Sequence, residues 1–322
     1  MTTVLVPLDQ GAQLLRAATL EVLTIARDLG EVTVLAFDEP DEELLAELGR
    51  YGVSRVVVTQ LPEPATSSAV VGQAVASAAA QVSDAVVLLP STFTSKEVAA
   101  HAAHHLQAGL LIDVGDLQLA DGRLVGDKRV FGGTWETECT ATTEVAVATV
   151  RPNAVLPTPA AEPAPATVQP ITTDAAAPAG LELLERTVAD HSGDTRPTLA
   201  EAAIVVAGGR GTFGDFEAVE ELADELGAAI GTTRDCVDEG WLPHEAQVGQ
   251  TGTTIAPRVY IGAGISGAPH HVGGMSAAGT VIAVNLDDEA PLVQLADFAV
   301  IGDLSSVLAD AAEALRAHRD GS

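Results

Sequence analysis

The 322-residue sequence holds two cysteines, two tryptophans and two tyrosines, and only Lys96 and Lys128 among its sixteen basic residues are lysines. Cys139 and Cys236 lie far apart, so neither a disulfide framework nor a cysteine-built metal centre is supported. No apolar run reaches the roughly 18 residues of a membrane-spanning helix. The MTTVLVPLDQ N-terminus also lacks the basic region of a secretory leader. A soluble, cytoplasmic protein without membrane insertion is expected. The basic residues face 45 acidic ones, a net charge of −29, which repels nucleic acid and is read as a solubilising, salt-adapted surface. That excess is spread as −15 over residues 1–200 and −14 over residues 201–322, so no acidic tail exists. Trp135 and Trp241 are too few for a stacking platform and are assigned to core or interface packing.

What is abundant is apolar content, 47% of the chain, enough for two cores of about 150 residues each. The first part alternates strand-like and helix-like segments: Val4–Pro7, Leu14–Leu29, Val32–Phe37, Glu42–Leu48, Val53–Thr59, Ser67–Val82, Ala85–Leu89 and Lys96–Leu106. Such alternation predicts a parallel sheet covered by helices. Beyond Asp113 come short polar and β-branched runs with a hairpin turn at Asp121-Gly122, ending in Glu144–Val150, and this segment is expected to be antiparallel. Residues 1–152 are therefore read as an N-terminal α/β domain with a small antiparallel extension. Residues 153–200 are rich in Pro, Ala and acidic side chains and read as a linker with one strand near Leu181–Val188.

Residues 201–322 show a second βα alternation, with strands at Ile204–Ala207, Ala228–Gly231, Val259–Ile261, Val281–Val284 and Phe298–Ile301. Phe216, Val219, Leu222, Ala223 and Leu226 fall on one helical face with Gly227 as the stop, and Leu304, Val307, Leu308, Ala311 and Leu315 mark a last amphipathic helix. The expected class is α/β throughout, with a doubly wound C-terminal domain.

In such sheets ligands bind beyond the carboxyl ends of the strands. Each predicted strand end here carries a polar or glycine-rich cluster: Gly208-Gly209-Arg210-Gly211, Thr232-Thr233-Arg234, Gly264-Ile265-Ser266-Gly267 with His270 and His271, Asn285, and Asp303. Gln250-Thr251-Gly252 lies in the loop feeding the third strand. Arg210 and Arg234 are two of five basic residues in this domain, which favours anion binding over a structural ion pair. Gly262, Gly264 and Gly267 form GxGxxG, a weak signal alone, and Pro269 and Gly273-Gly274 are expected to interrupt the helix that should follow.

The segments VVAGGRG, ELADELGAAIGTTRDCVDEGWLP, QVGQTG, IGAGISGAPHHVGGM, AVNLDDEAPL and ADFAVIGDL, in this order and spacing, closely resemble the electron transfer flavoprotein alpha subunit. The likeness covers almost all of residues 202–316. It continues more weakly through GLLIDVGDLQL, the Gly132-Gly133 turn and VATVRPNA, which implies a nucleotide-alpha-hydrolase-like N-terminal domain. The resemblance implies FAD bound by the C-terminal domain and pairing with a beta subunit. It also implies electrons carried from flavin dehydrogenases, such as acyl-CoA dehydrogenases, to a membrane quinone reductase or other acceptor oxidoreductase, with no substrate turned over by this chain alone. By family pattern the FAD-contacting positions are Arg210, Thr233, Arg234, Gln247, Gly249, Gln250, Thr251, Gly264, Ser266, His271, Asn285 and Asp303, joined by Gly267 and His270. His271 as a donor and Arg234 as a cation would raise the flavin potential, Thr251 would lie near N5, Ser266 would hold the pyrophosphate, and Asn285 and Asp303 would read the ribose and adenine end. Pro269-His270 stands where the family has Ile-Gln, and Leu286 where it has a lysine.

Two other readings compete. An NAD(P)-dependent Rossmann oxidoreductase would use GAGISG and requires an acidic ribose-binding residue about 20 residues on, where the chain has neutral Asn285. A nucleotide-binding regulatory module would use the N-terminal α/β half. His101, His104 and His105 share a helical face but lack an acidic or cysteine partner, and read as a polar surface; Cys236 reads as a small buried residue.

Overall fold

A computed structural model describes residues 2–63, 65, 67–82, 85–131, 135–163, 165–177, 179–185, 187 and 196–320. The chain divides into two compact units, Met1–Lys128 with Glu136–Ala189, and Arg129–Trp135 with Asp190–Ser322.

In the first unit β1 (Thr3–Pro7), α1 (Ala17–Leu29), β2 (Glu31–Ala36), α2 (Glu42–Arg50), β3 (Val53–Val58), α3 (Ser68–Gln81), β4 (Ala85–Pro90) and α4 (Phe93–Leu106) alternate as the periodicity predicts. There follow β5 (Gly109–Val114), β6 (Leu117–Ala120), β7 (Arg123–Val130), β8 (Trp135–Thr140), β9 (Ala146–Val150) and β10 (Thr167–Pro170). Seven strands form one parallel sheet in the order β10-β3-β2-β1-β4-β9-β5. Successive residues point to opposite faces. Val4, Val6, Val32, Val34 and Leu88 therefore pack with Val22, Leu23 and Ala26 of α1 and Leu44 and Leu48 of α2, while Leu5, Leu35, Val57 and Val87 pack with Val75 and Ala78 of α3 and Val98 and Ala102 of α4.

Three expectations for this region are corrected. The segment ending in Glu144–Val150 is not wholly antiparallel, because β9 is buried along its whole length and lies parallel between β4 and β5. A five-residue run buried on both faces belongs in the interior of a parallel sheet. The separate sheet is β6-β7-β8, and its first hairpin turns at Asp121 and Gly122 with φ of 51° and 75°, as a two-residue turn matched to strand twist requires. Second, residues 181–185 and 187 carry no strand, Val188 lying outside the described residues. The strand of this stretch is β10, whose Thr167 and Val168 register with Arg55 and Val56 at the sheet edge. Third, of the two roles expected for Trp135, core or interface packing, the core is excluded, because Trp135 is exposed and stacks edge-on against exposed Phe131. The Gly132-Gly133 turn lies outside the described residues. His101, His104 and His105 are exposed on α4, and Cys139 on β8 is half-buried. Among the described residues no helix is long and apolar enough to cross a membrane.

The second unit contains β11 (Ile204–Gly208), α5 (Glu217–Leu226), β12 (Ala229–Thr232), α6 (Arg234–Asp238), β13 (Val259–Ala263), α7 (Pro269–Met275), β14 (Thr280–Asn285), α8 (Pro291–Leu295), β15 (Phe298–Ile301) and α9 (Leu304–Asp320). Its sheet is parallel in the order β12-β11-β13-β14-β15. Val206, Ile261 and Ala263 meet Val219, Leu222 and Ala223 of α5 and Leu304 and Leu308 of α9 on one face; Val205, Ala207, Tyr260 and Val281 meet Met275 of α7 and Leu292 of α8 on the other. Gly227 ends α5 at φ 60°. The segment after β13 is not interrupted as expected: Pro269 stands in the first turn of α7, where its missing N–H has no helical partner to lose, and the helix runs through Gly273 and Gly274.

Candidate functional site

The strand order reverses between β11 and β13, so the loops leaving these two strands head for opposite faces and part at their carboxyl ends. A cavity of about 690 Å³ opens at this point. Its walls include Arg210, Gly211 and Phe213 after β11; Thr233, Arg234, Asp235 and Trp241 after β12; Gln247, Val248, Gly249 and Thr251 from the loop before β13; Gly264, Ile265, Ser266, Ala268, His270 and His271 after β13; and Asn285, Asp287 and Ala290 after β14.

The glycines of this rim are demanded by chain touching chain. The amide of Gly209 donates to the Ala263 carbonyl at 2.9 Å. A Cβ on Gly209 would stand 2.4 Å from the Gly264 carbonyl oxygen. Gly264 has φ 62°, a conformation that glycine adopts without penalty. Of the GxGxxG triplet, Gly262 and Gly267 back onto the protein: an added Cβ would lie 2.6 Å from Leu292 Cδ2 and 2.4 Å from Leu292 N, respectively. Those two glycines serve strand and helix packing, and the acidic ribose-binding residue that the NAD(P) reading requires is replaced by neutral Asn285.

Arg210 and Arg234 both reach the cavity. Arg210 Nε pairs with Asp235 Oδ2 at 3.1 Å and Arg234 Nε with Asp238 Oδ2 at 3.3 Å, and all four side chains are more than half exposed. Exposed pairs of this kind hold by about 0–1 kcal/mol. The guanidinium groups thus remain available to an anion. Thr233 stands at the N-cap position of α6 with its hydroxyl 3.4 Å from the sulfur of buried Cys236.

The 247–253 loop is knitted to α7. Gln250 N donates to the His270 carbonyl at 2.9 Å, and the Gln250 Oε1 lies 2.9 Å from His270 Nδ1. Gln247, almost fully buried, donates from Nε2 to Thr251 Oγ1 at 2.9 Å. The Thr251 hydroxyl accepts that bond and keeps its own proton to donate. Asn285 bridges two loops, its Nδ2 donating to the Ile265 carbonyl at 3.0 Å and its Oδ1 accepting from the Asp287 amide at 3.1 Å.

His271 is buried, with Nδ1 3.1 Å from the Val248 carbonyl and Nε2 2.6 Å from the Tyr260 hydroxyl. Burial pulls its pKa down to about 4 against the weaker opposing pull of the Val248 carbonyl, so the ring is neutral near pH 7. Both nitrogens are engaged within the protein, and in this arrangement His271 presents its ring, not an N–H donor, to the cavity.

Three of the residues singled out from sequence stand outside the cavity wall. Gln250 braces His270 from behind, Gly267 packs on α8, and Asp303 caps α9 by accepting from Ser306 N at 3.0 Å and Ser306 Oγ at 3.1 Å. The Ser306 amide, then the Ser306 hydroxyl, hold the Asp303 carboxyl below its ordinary pKa. The wall also contains residues the sequence reading passed over or assigned elsewhere. Trp241 lies over Gly214, where a Cβ would meet its indole at 3.2 Å, and Gly214 was its one available signal. Phe213 is 87% exposed at φ 52° beside the mouth, and no spacing rule marks it or Asp287.

Residues 198–276 match the family model of the electron transfer flavoprotein FAD-binding domain, and residues 4–178 match that of the electron transfer flavoprotein domain. The chain is 37% identical to the electron transfer flavoprotein subunit alpha of Mycobacterium leprae (strain TN), over 98% of this chain and 98% of that protein. It is 34% identical to the subunit alpha of Paracoccus denitrificans, over 91% and 93%. Against the mitochondrial subunit alpha of Oryza sativa subsp. indica identity rises to 49% over 115 residues, 35% of this chain and 32% of that protein. The chain belongs to the electron transfer flavoprotein alpha subunit family, and its second unit carries that family's FAD-binding domain.

Proposed function

We propose that this chain holds FAD in the cavity at the β11/β13 switch point and works in the cytoplasm as one half of a heterodimer with an electron transfer flavoprotein beta subunit. Electrons enter from flavin dehydrogenases, acyl-CoA dehydrogenases among them, and leave to a membrane quinone reductase or another acceptor oxidoreductase. The chain is a carrier and turns over no substrate by itself. The observation that supports this most is the convergence of Arg210, Arg234, Gln247, Thr251, Ser266, His271 and Asn285 on one cavity from five separate loops.

The residues fit the group. Its volume lies within the roughly 300–1,000 Å³ of small-molecule sites. It gathers two permanent cations from a domain with five basic residues, and the glycines of its rim let the loops after β11 and β13 close on one another. FAD, when bound, supplies reversible redox chemistry to the carrier. Arg234 places a cation where reduction would build negative charge, and Arg210 with Ser266 and the backbone of the Gly264 loop holds the pyrophosphate. Thr251, oriented by Gln247, would offer its hydroxyl proton to the flavin ring. Asn285, with Asp303 at the start of α9, serves the ribose and adenine end. Thr233, Gly249 and His270 complete the wall, and Gln250 and Gly267 act through the residues they brace. Copurification with the beta subunit tests this: the complex should show flavin absorbance that bleaches on addition of a flavin dehydrogenase and its substrate. A colourless complex would sink the reading.

A further inference from the structure

Behind the cavity wall, the middle of β13 and the first turn of α7 contribute a buried pair, Tyr260 and His271. The Tyr260 hydroxyl lies 2.6 Å from His271 Nε2, and His271 Nδ1 lies 3.1 Å from the Val248 carbonyl oxygen. A carbonyl can only accept, so Nδ1 carries the ring proton; Nε2 then has a lone pair alone, and Tyr260 is the donor. The tyrosine ring is fully buried beneath Gly262, a place that a phenylalanine would fill as well, yet its hydroxyl is spent on His271, which lines the cavity.

We propose that Tyr260 is a positioning residue: while the Val248 carbonyl holds the proton on Nδ1, the Tyr260 hydroxyl fixes the orientation of the His271 ring and, by donating to Nε2, keeps that nitrogen unprotonated at the cavity wall. The positive charge facing a ligand then comes from Arg210 and Arg234, which line the same cavity with Asp235, Asp287 and His270, and not from His271. Burial acts in the same direction, since it lowers the pKa of His271 and raises that of Tyr260, so the phenol keeps the proton it donates. A hydrogen bond made to the neutral form of a base opposes its protonation, and removing the hydroxyl should let His271 gain a proton more readily.

The consequence for the flavin rests on the reading of the cavity given above, but the pair itself belongs to the chain and can be tested apart from it. The experiment is ¹⁵N NMR of histidine-labelled full-length chain copurified with its beta subunit, comparing wild type with Tyr260→Phe, together with the flavin potential as a function of pH. Wild type should show one His271 tautomer, protonated at Nδ1, down to about pH 5. In Tyr260→Phe the tautomer set by Val248 should persist while the protonation midpoint of the ring rises by on the order of one pH unit, the equivalent of one hydrogen bond. The flavin potential of that variant should acquire a pH dependence over the same range. An unchanged midpoint in Tyr260→Phe would overturn the proposal. Should that variant not fold, fluorotyrosine at position 260 keeps the ring and makes the phenol a stronger donor; the midpoint should then fall, and no movement would overturn the proposal equally. A colourless complex with the expected NMR behaviour would defeat the flavin reading and leave the pair in place.

Discussion

The amide of Gly211 donates to the carbonyl of Gly264 at 3.0 Å, and a methyl group on Gly211 would stand 2.7 Å from the Gly264 Cα. The loops leaving the two strands at the switch point are therefore tied backbone to backbone, with no side chain between them. This contact sets the floor of the cavity and admits no larger residue without moving a main chain on one side.

Gly211→Ala should lower stability by about 1–3 kcal/mol, the range for overpacking a tight contact, and should lose flavin more than it loses fold. Urea unfolding alongside the ratio of flavin to protein absorbance checks both parts. Normal flavin content with unchanged stability would mean that the loops are not held together as described.

Arg234→Ala removes an exposed pair with Asp238, so its effect on stability should stay within about 1 kcal/mol. The flavin potential should nonetheless fall, because a permanent cation leaves the cavity wall. Redox titration of the purified heterodimer decides it, and a potential equal to that of wild type counts against the role given to Arg234.

Acid should weaken the second unit through His271. Its pKa is about 4 in the folded chain against an ordinary 6.5, so between these values the unfolded chain binds the extra proton. Stability from this group is whole above about pH 6.5 and drains away as pH falls toward 4, by on the order of 3 kcal/mol. Asp303, with its lowered pKa, acts in a lower window: its share is present above the ordinary carboxylate value of 3.8 and is lost as pH falls through the folded value. Denaturant titrations at pH 7, 5.5 and 4.5 should show the first loss in wild type and a shallower one in His271→Gln. Equal slopes would show that another group carries the acid sensitivity.

Salt should stabilise the whole chain. With a net charge of −29 the folded state repels itself, and raising ionic strength from about 0.01 M to about 1 M shortens the reach of that repulsion from about 30 Å to about 3 Å. Thermal melting in sodium chloride should move to higher temperature across this range. A flat or falling midpoint would show that ion pairs such as Arg316 with Glu221 outweigh the repulsion.

Strands such as Ala85–Pro90 and Phe298–Ile301 were legible in the sequence because each is an apolar run closed by polar, proline or glycine residues. The partner of a strand is not a local property. Nothing inside Ala146–Val150 says that it pairs with β4 and β5 in parallel rather than folding back on its neighbour. β10 was hidden for another reason: Thr167–Pro170 is exposed throughout and sits in Pro-rich surroundings, so it carries no burial pattern. At the site, the strand-end rule found Arg210, Arg234, Ser266 and Asn285 because topology alone brings such ends together. It could not find Trp241, which reaches the cavity by lying over Gly214, or foresee that Tyr260 claims the Nε2 of His271.

Each compact unit holds one cysteine, Cys139 half-buried in the first and Cys236 buried in the second beneath the loops that form the cavity. A thiol reagent reaches a covered sulfur only when the surrounding structure opens, so its rate reports the free energy of that opening. Buried Cys236 thus serves the second unit as a clock of that opening. The Cys236 clock should slow when a ligand fills the cavity, which makes alkylation kinetics a label-free binding assay for the second unit.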